Sequence, residues 1–292
     1  MTEQGIILKG VGSFYEVLTD RKESITCKAR GVFRKQHLTP TVGDYVLIER
    51  QERGYALIDS ILPRKNILVR PPVANIDQIF IVIAASAPEP DWLLLDRLIL
   101  EANKMKITPI PVLNKIDNAS DNLKNIFRSD YAYFDTLCVS AHSGEGLEAL
   151  RAKLQGKVSC FSGQSAVGKS SILNALFPEL HLEVGDLSQK IDRGKHTTRH
   201  AELVPYGTGA VLDTPGFSLL ESDWIEQYEL DACYPEFMSA PYRCRYPDCM
   251  HDSEPDCGVK ELLSTGELTQ NRYERYIILA RENQERRKHR YD

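Results

Sequence analysis

The stretch GQSAVGKSS at residues 163–171 restricts the fold of this chain more than any other. It matches G-x-x-x-x-G-K-[ST], with Gly163, Gly168, Lys169 and Ser170 at the fixed positions. Such a loop works only where a strand feeds it and a helix leaves it. VSCFS precedes it, and KSSILNALF comes after and is stopped by Pro178. Glycines let the N–H groups of Gly163, Gln164, Ser165, Ala166, Val167, Gly168, Lys169, Ser170 and Ser171 curl toward phosphate oxygens. The helix N-terminus adds its partial positive charge. Lys169 is expected to reach the β- and γ-phosphates and Ser170 to bind Mg²⁺. A unit of this kind calls for an α/β domain with a mostly parallel sheet. It specifies a purine nucleoside triphosphate without choosing the base.

Downstream, ELVPY-GTG-AVLDTPG reads as a hairpin that ends in Asp213, with Gly216 three residues on. Asp-x-x-Gly there is the second Mg²⁺-side group of phosphate-loop nucleotidases, its glycine placed to sense the γ-phosphate. Between loop and hairpin lies an irregular segment, about 178–200, ending in GKHTTRH. Thr198, with Thr197 beside it, is expected to complete the Mg²⁺ shell while the triphosphate is bound. Phe217 stands where many GTPases carry a water-orienting Gln. Either hydrolysis is very slow or another group, His196 or His200, supplies the orientation.

The base-reading parts lie upstream. VLNKID at 112–117 ends a strand with Asn114-Lys115-x-Asp117. An Asp carboxylate accepts both N1 and N2 hydrogens of guanine, a Lys stem packs flat on the purine, and Asn braces the loop. SAHSG at 140–144 comes after the next strand, so a backbone N–H of Ser140–Ala141 faces guanine O6. All the parts of a GTPase are present in rotated order. A parallel sheet tolerates such rotation, because chain termini are often close. One circularly permuted domain, residues 73–224, is simpler than two half-domains.

Residues 1–66 read as short strands at a spacing that suggests a five-stranded barrel of the oligonucleotide-binding type. It offers Lys28, Arg30, Arg34 and Lys35, with Phe33 among them as a core residue. The first 70 residues carry 12 Lys/Arg against 8 Asp/Glu although the whole chain is at −5. That leaves room for a local polyanion footprint beside the bland reading of a solvated surface. RPP at 70–72 reads as a stiff linker.

Residues 225–292 lose the sheet pattern. Cys244-x4-Cys249-x-His251-x5-Cys257 offers three thiolates and an imidazole in a Pro/Asp-rich loop with too little apolar content to order itself. Cys₃His is a common structural zinc set without an open position. A long polar helix comes next. The other four cysteines, Cys27, Cys138, Cys160 and Cys233, are scattered, which suits a reducing cytoplasm better than a disulfide framework. No run of ~18 apolar residues predicts a membrane span, and MTEQGIILKG is not a signal peptide.

Together, the basic barrel, NKID, SAHSG, GQSAVGKSS, GKHTTRH, DTPGF and the Cys₃His set resemble the RsgA (YjeQ/YloQ) family of circularly permuted, small-ribosomal-subunit-dependent GTPases. The resemblance covers essentially the whole chain. It implies an oligonucleotide-binding-fold domain, a GTPase core and a mainly helical zinc domain. It also implies a cytoplasmic, monomeric protein that meets the 30S subunit and 16S rRNA late in maturation, with subunit-stimulated hydrolysis of GTP to GDP and phosphate. The family's proposed catalytic histidine falls on His196, and Phe217 fits its hydrophobic Gln replacement. Ala166 stands where potassium-dependent GTPases often carry Asn, a departure that leaves potassium without support. The guanine motif disfavours a metabolic ATPase or kinase; Phe217 keeps open a nucleotide-gated RNA-binding module with negligible turnover. Because the chain leaves the GTPase domain just after DTPGF, loss of the γ-phosphate is expected to tilt the zinc domain.

Overall fold

A computed structural model describes residues 2–35, 38–51, 54–69, 71–180, 201–212, 225–240 and 244–288. Strands β1 (Thr2–Val11), β2 (Phe14–Thr19), β3 (Ser24–Ala29), β4 (Tyr45–Glu49) and β5 (Ala56–Ile61), with a short helix α1 (Val32–Lys35), come first. They close a barrel in the order β1-β2-β3-β5-β4. Alternation sends Ile7, Val17, Cys27, Val46, Ile48 and Ile58 inside, and Phe33 joins them as the sequence predicts. RPP is not a free spacer. Strands β6 (Ile67–Val69) and β7 (Pro72–Ala74) form an antiparallel ribbon in which Pro72 pairs with Val69. Leu68 and Val73 are buried in the next domain's core, so burial of their side chains overrides the stiffness expected of the prolines.

That domain contains β8 (Gln78–Ala84), α2 (Trp92–Lys104), β9 (Thr108–Asn114), α3 (Asp121–Asp130), β10 (Leu137–Cys138) and α4 (Leu147–Leu154). It continues with β11 (Val158–Ser162), α5 (Lys169–Leu176), β12 (Leu203–Tyr206) and β13 (Gly209–Leu212). The sheet order is β10-β9-β8-β11-β13-β12. All ladders are parallel except the β12–β13 hairpin. Every residue of β8 is buried, as a central strand covered on both faces requires. Side chains of α2 and α3 fill one face of the sheet; those of α4 and α5 fill the other. Asp91 caps α2 by accepting the Leu94 N–H at 2.9 Å.

The middle of this sheet shows how the rotated order works. From β8 the chain runs outward through β9 to β10, then returns to β11, beside β8, and continues to the other edge. The order reverses between β8 and β11. At such a switch point the loops at the carboxyl ends of neighbouring strands diverge and leave a crevice.

Helices α6 (Gln227–Asp231), α7 (Gly258–Thr265) and α8 (Gln270–Lys288) build the C-terminal unit. The sequence presents α8 as a polar helix, but the structure buries Arg272, Arg275, Tyr276, Leu279 and Ala280. The charges are paired, two guanidinium groups meeting three carboxylates. Arg272 bonds Asp96 and, at 2.8 Å, Glu236; Arg275 reaches Asp96 at 2.7 Å and Asp130 at 2.8 Å. The Arg272 guanidinium carbon also lies 4.1 Å from the Tyr234 ring centroid, a cation–π contact. Arginines on α8 thereby clamp α2 and α3.

Candidate nucleotide site and cysteine cluster

All four loops of interest leave the carboxyl ends of adjacent strands. Residues 85–91 come after β8, NKID ends β9, Ser140–Ala141 come after β10, and the phosphate loop comes after β11. Gly163 has φ +135° and lies so close to β8 that an added Cβ would stand 2.1 Å from the Val82 carbonyl oxygen. Gly168 has φ +98° and the same atom there would meet Asn114 Nδ2 at 2.3 Å. The two glycines therefore let the loop turn and let the base-reading motif press against it.

That contact is a hydrogen-bonded one. Asn114, 1% exposed, donates from Nδ2 to the Val167 carbonyl at 2.8 Å and accepts the Ala141 N–H at 3.3 Å. A single buried amide ties the phosphate loop to both guanine motifs. Lys115 adopts a left-handed φ of 62°. Its ammonium donates to the Ala166 carbonyl at 2.9 Å and to the Ala87 carbonyl, so its stem is stretched across the loop. Asp117 is exposed and accepts the Ser140 hydroxyl at 2.6 Å and Asn118 Nδ2 at 3.0 Å. The Ser140 bond holds its carboxyl below the ordinary range and keeps it an acceptor.

Lys169 opens α5 and is 9% exposed. Its ammonium donates to the carbonyls of Gly163 at 2.8 Å and Gln164 at 2.7 Å, and burial lowers its pKa. Gln164, Ser165 and Ala166 are exposed along the rim, while Ser170 and Ser171 are half-buried in the first turn of α5. Of the residues assigned from sequence, Thr198, His196, Asp213 and Gly216 lie outside the described residues, as do Thr197, His200 and Phe217. The hairpin that leads to Asp213 is present, with Leu203 paired to Leu212.

Ligand atoms of Cys244, Cys249, His251 and Cys257 all lie within 4.8 Å of one another. Cys244 Sγ is 3.8 Å from Cys257 Sγ and 3.5 Å from His251 Nδ1, which is 3.3 Å from Cys257 Sγ. A tetrahedron with bonds of ~2.3 Å to sulfur and ~2.0 Å to nitrogen has edges of about 3.5–3.8 Å, so the set fits zinc. Cys257 precedes the first turn of α7. Burial works against its ionisation, but the His251 bond and the Lys260 N–H bring its thiol down to about 7. Asp231 backs the cluster. It stands 3.3 Å from His251 Nε2 and accepts the Tyr276 hydroxyl at 2.8 Å, fixing which imidazole nitrogen faces the sulfurs.

Sequence reasoning missed Ala87, Asn118 and Asp231. Ala87 acts through its carbonyl, which carries no side-chain signal, and Asp231 is 20 residues from its histidine. On the barrel, Phe14 and Tyr55 were missed too. Lys28 Nζ sits 4.6 Å and 4.9 Å from their ring centroids, and Tyr55 is 47% exposed. Arg30, by contrast, is paired with Glu49 and Asp59.

An NKID strand end and a phosphate loop, joined by one buried Asn across a sheet of rotated strand order, define a circularly permuted GTPase. Residues 61–223 match the RsgA GTPase family and residues 4–58 the RsgA N-terminal domain. The chain belongs to the RsgA GTPase family. It is 44% identical to the small ribosomal subunit biogenesis GTPase RsgA of Caldanaerobacter subterraneus subsp. tengcongensis, over 99% of this chain and 98% of that one. The protein of the same name from Ruminiclostridium cellulolyticum is 47% identical over 94% and 92%. Among solved structures, YjeQ from Thermotoga maritima superposes with a TM-score of 0.84 at 35% identity, covering 97% of this chain and 99% of that one. YloQ, described as a circularly permuted GTPase, gives 0.83 at 34%, covering 98% and 96%.

Proposed function

We propose that this GTPase acts on the small (30S) ribosomal subunit, in the cytoplasm and as a monomer, during late maturation, and that the subunit stimulates its turnover. The observation that carries the nucleotide half of this reading is Asn114 bonded to both the phosphate loop and the second guanine motif. The relatives' shared name supports the subunit, and the Lys28–Phe14–Tyr55 cluster supports contact with 16S rRNA, since aromatics beside a cation stack bases. Among the described residues no helix is long and apolar enough to cross a membrane.

In this reading Asp117 takes the guanine N1 and N2 hydrogens, Lys115 covers the purine and the Ser140–Ala141 backbone faces O6. Lys169 holds the β- and γ-phosphates. Ser170, Thr198 and Asp213 are the residues that would hold Mg²⁺, which when bound neutralises charge on the phosphates. His196 orients the attacking water, the task Phe217 cannot perform. One structural Zn²⁺ is held by Cys244, Cys249, His251 and Cys257.

GTP turnover with and without purified 30S subunits, with ATP as control, tests the reading. Stimulated turnover with GTP alone is expected. Turnover indifferent to subunits would remove the ribosomal part, and equal use of ATP would remove the guanine part. His196→Ala is expected to abolish the stimulated rate while leaving GTP affinity nearly intact.

A further inference from the structure

Strand β1 does more than close the barrel. Its ladder with β2 pairs Ile7 with Val17 and then Lys9 with Glu16, so Leu8 is an extra residue with no partner. An inserted residue bends a strand and re-aims the residues after it. Ile7 points into the barrel core, whereas Leu8, 6% exposed, packs in the GTPase core with Ala201 and Leu203. Lys9 then forms an antiparallel bridge with Glu202 and an ion pair with its carboxylate. The GTPase sheet thereby continues beyond its edge strand β12 into the barrel.

The place where this happens matters. Glu202 stands four residues after Thr198 and six after His196 in the chain. Leu203 is the cross-strand partner of Leu212, which immediately precedes Asp213. The barrel therefore grips the strand that comes after one assigned catalytic segment and pairs with the strand leading into another. Lys9 and Glu202 side chains are 39% and 36% exposed. An ion pair so exposed contributes little to stability, which leaves positioning as its use.

We propose that Leu8 and Lys9 are positioning residues for subunit-stimulated GTP hydrolysis: they set where Ala201–Leu203, and with them the β12–β13 hairpin, join the sheet, and RNA held by the barrel reaches the nucleotide site by this route. The inference rests on the subunit-stimulated reading above. Its test uses the full chain with Lys9→Ala, Glu202→Ala, the double variant, and the swap Lys9→Glu with Glu202→Lys. Basal turnover, subunit-stimulated turnover and co-sedimentation with 30S subunits are measured for each.

Each single variant is expected to lose about tenfold in stimulated turnover, a scale set by the sensitivity of catalysis to displacements under ~1 Å. The double variant is expected to be no worse, and the swap to restore most of the rate. Co-sedimentation should change by less than about twofold, because the pair lies outside the Lys28–Phe14–Tyr55 cluster, and basal turnover should fall less than the stimulated rate. Stimulated turnover within about twofold of wild type in both single variants, or losses that multiply in the double variant, would overturn the route. A wild-type chain that subunits do not stimulate would sink the ribosomal reading itself; a stimulated wild type with unaffected variants sinks the route alone.

Discussion

Arg272 and Arg275 of α8 and Lys9 of β1 all pair with carboxylates of the GTPase domain, yet the two junctions rest on different physics. At the C-terminal junction the charges are out of water: the side chain of Asp96 has no exposure and that of Arg272 has 2%. Desolvation there is offset only by ion pairing, so each partner depends on the others. At the barrel junction the pair is wet and weak, and the buried contribution comes from Leu8. One junction is a dry ionic docking; the other sets a wet ion pair beside the buried Leu8. The tilt of the zinc domain expected from the sequence would have to break the Asp96–Arg272–Arg275–Asp130 network, so the dry junction disfavours it. The proposed route from RNA to nucleotide runs instead through the β1–β12 contact.

The largest expected effect tests how far the C-terminal unit depends on the zinc proposed for its Cys₃His cluster. Chelation, or Cys257→Ser, should remove on the order of 10 kcal/mol of folding free energy from that unit. Circular dichroism should show loss of helix there with the barrel intact; an unchanged spectrum would mean that α8 alone orders it. Next, Asp96→Asn removes the carboxylate that both buried guanidinium groups share, leaving Arg272 only Glu236 and Arg275 only Asp130, and should cost about 3–5 kcal/mol in urea unfolding. A cost near that of a surface pair would erase the contrast between the junctions. Leu8→Ala empties an apolar site at the barrel junction and should cost roughly 2–3 kcal/mol. Lys9→Ala should cost less than about 1 kcal/mol by the same measurement. A larger loss would show that the wet pair is structural after all.

How much of this is readable from sequence depends on where the information sits. The phosphate loop, NKID, the GTG hairpin and the Cys₃His set are local patterns, and of these the structure joins NKID to the phosphate loop through Asn114. Arg272 lies 176 residues from Asp96, and a charged helix reads as a solvated one until its partners are known. The bulge at Leu8 breaks no rule of alternation visible in GIILKGV, because either neighbour could be the skipped residue. Phe33 was legible as core, but Phe14 in β2 and Tyr55 just before β5 are far apart in the chain and meet only when the barrel closes, with ring centroids 4.8 Å apart.

The central claim is that two halves in rotated order form one guanine site, and Asp117 carries it. Asp117→Asn reverses the hydrogen-bonding sense at guanine N1 and N2. Competition binding should show GTP affinity falling by about 100-fold or more, since two charge-assisted bonds are lost, with xanthosine triphosphate gaining in its place. An unchanged preference for GTP over xanthosine triphosphate would show that NKID does not read the base and would contradict the account.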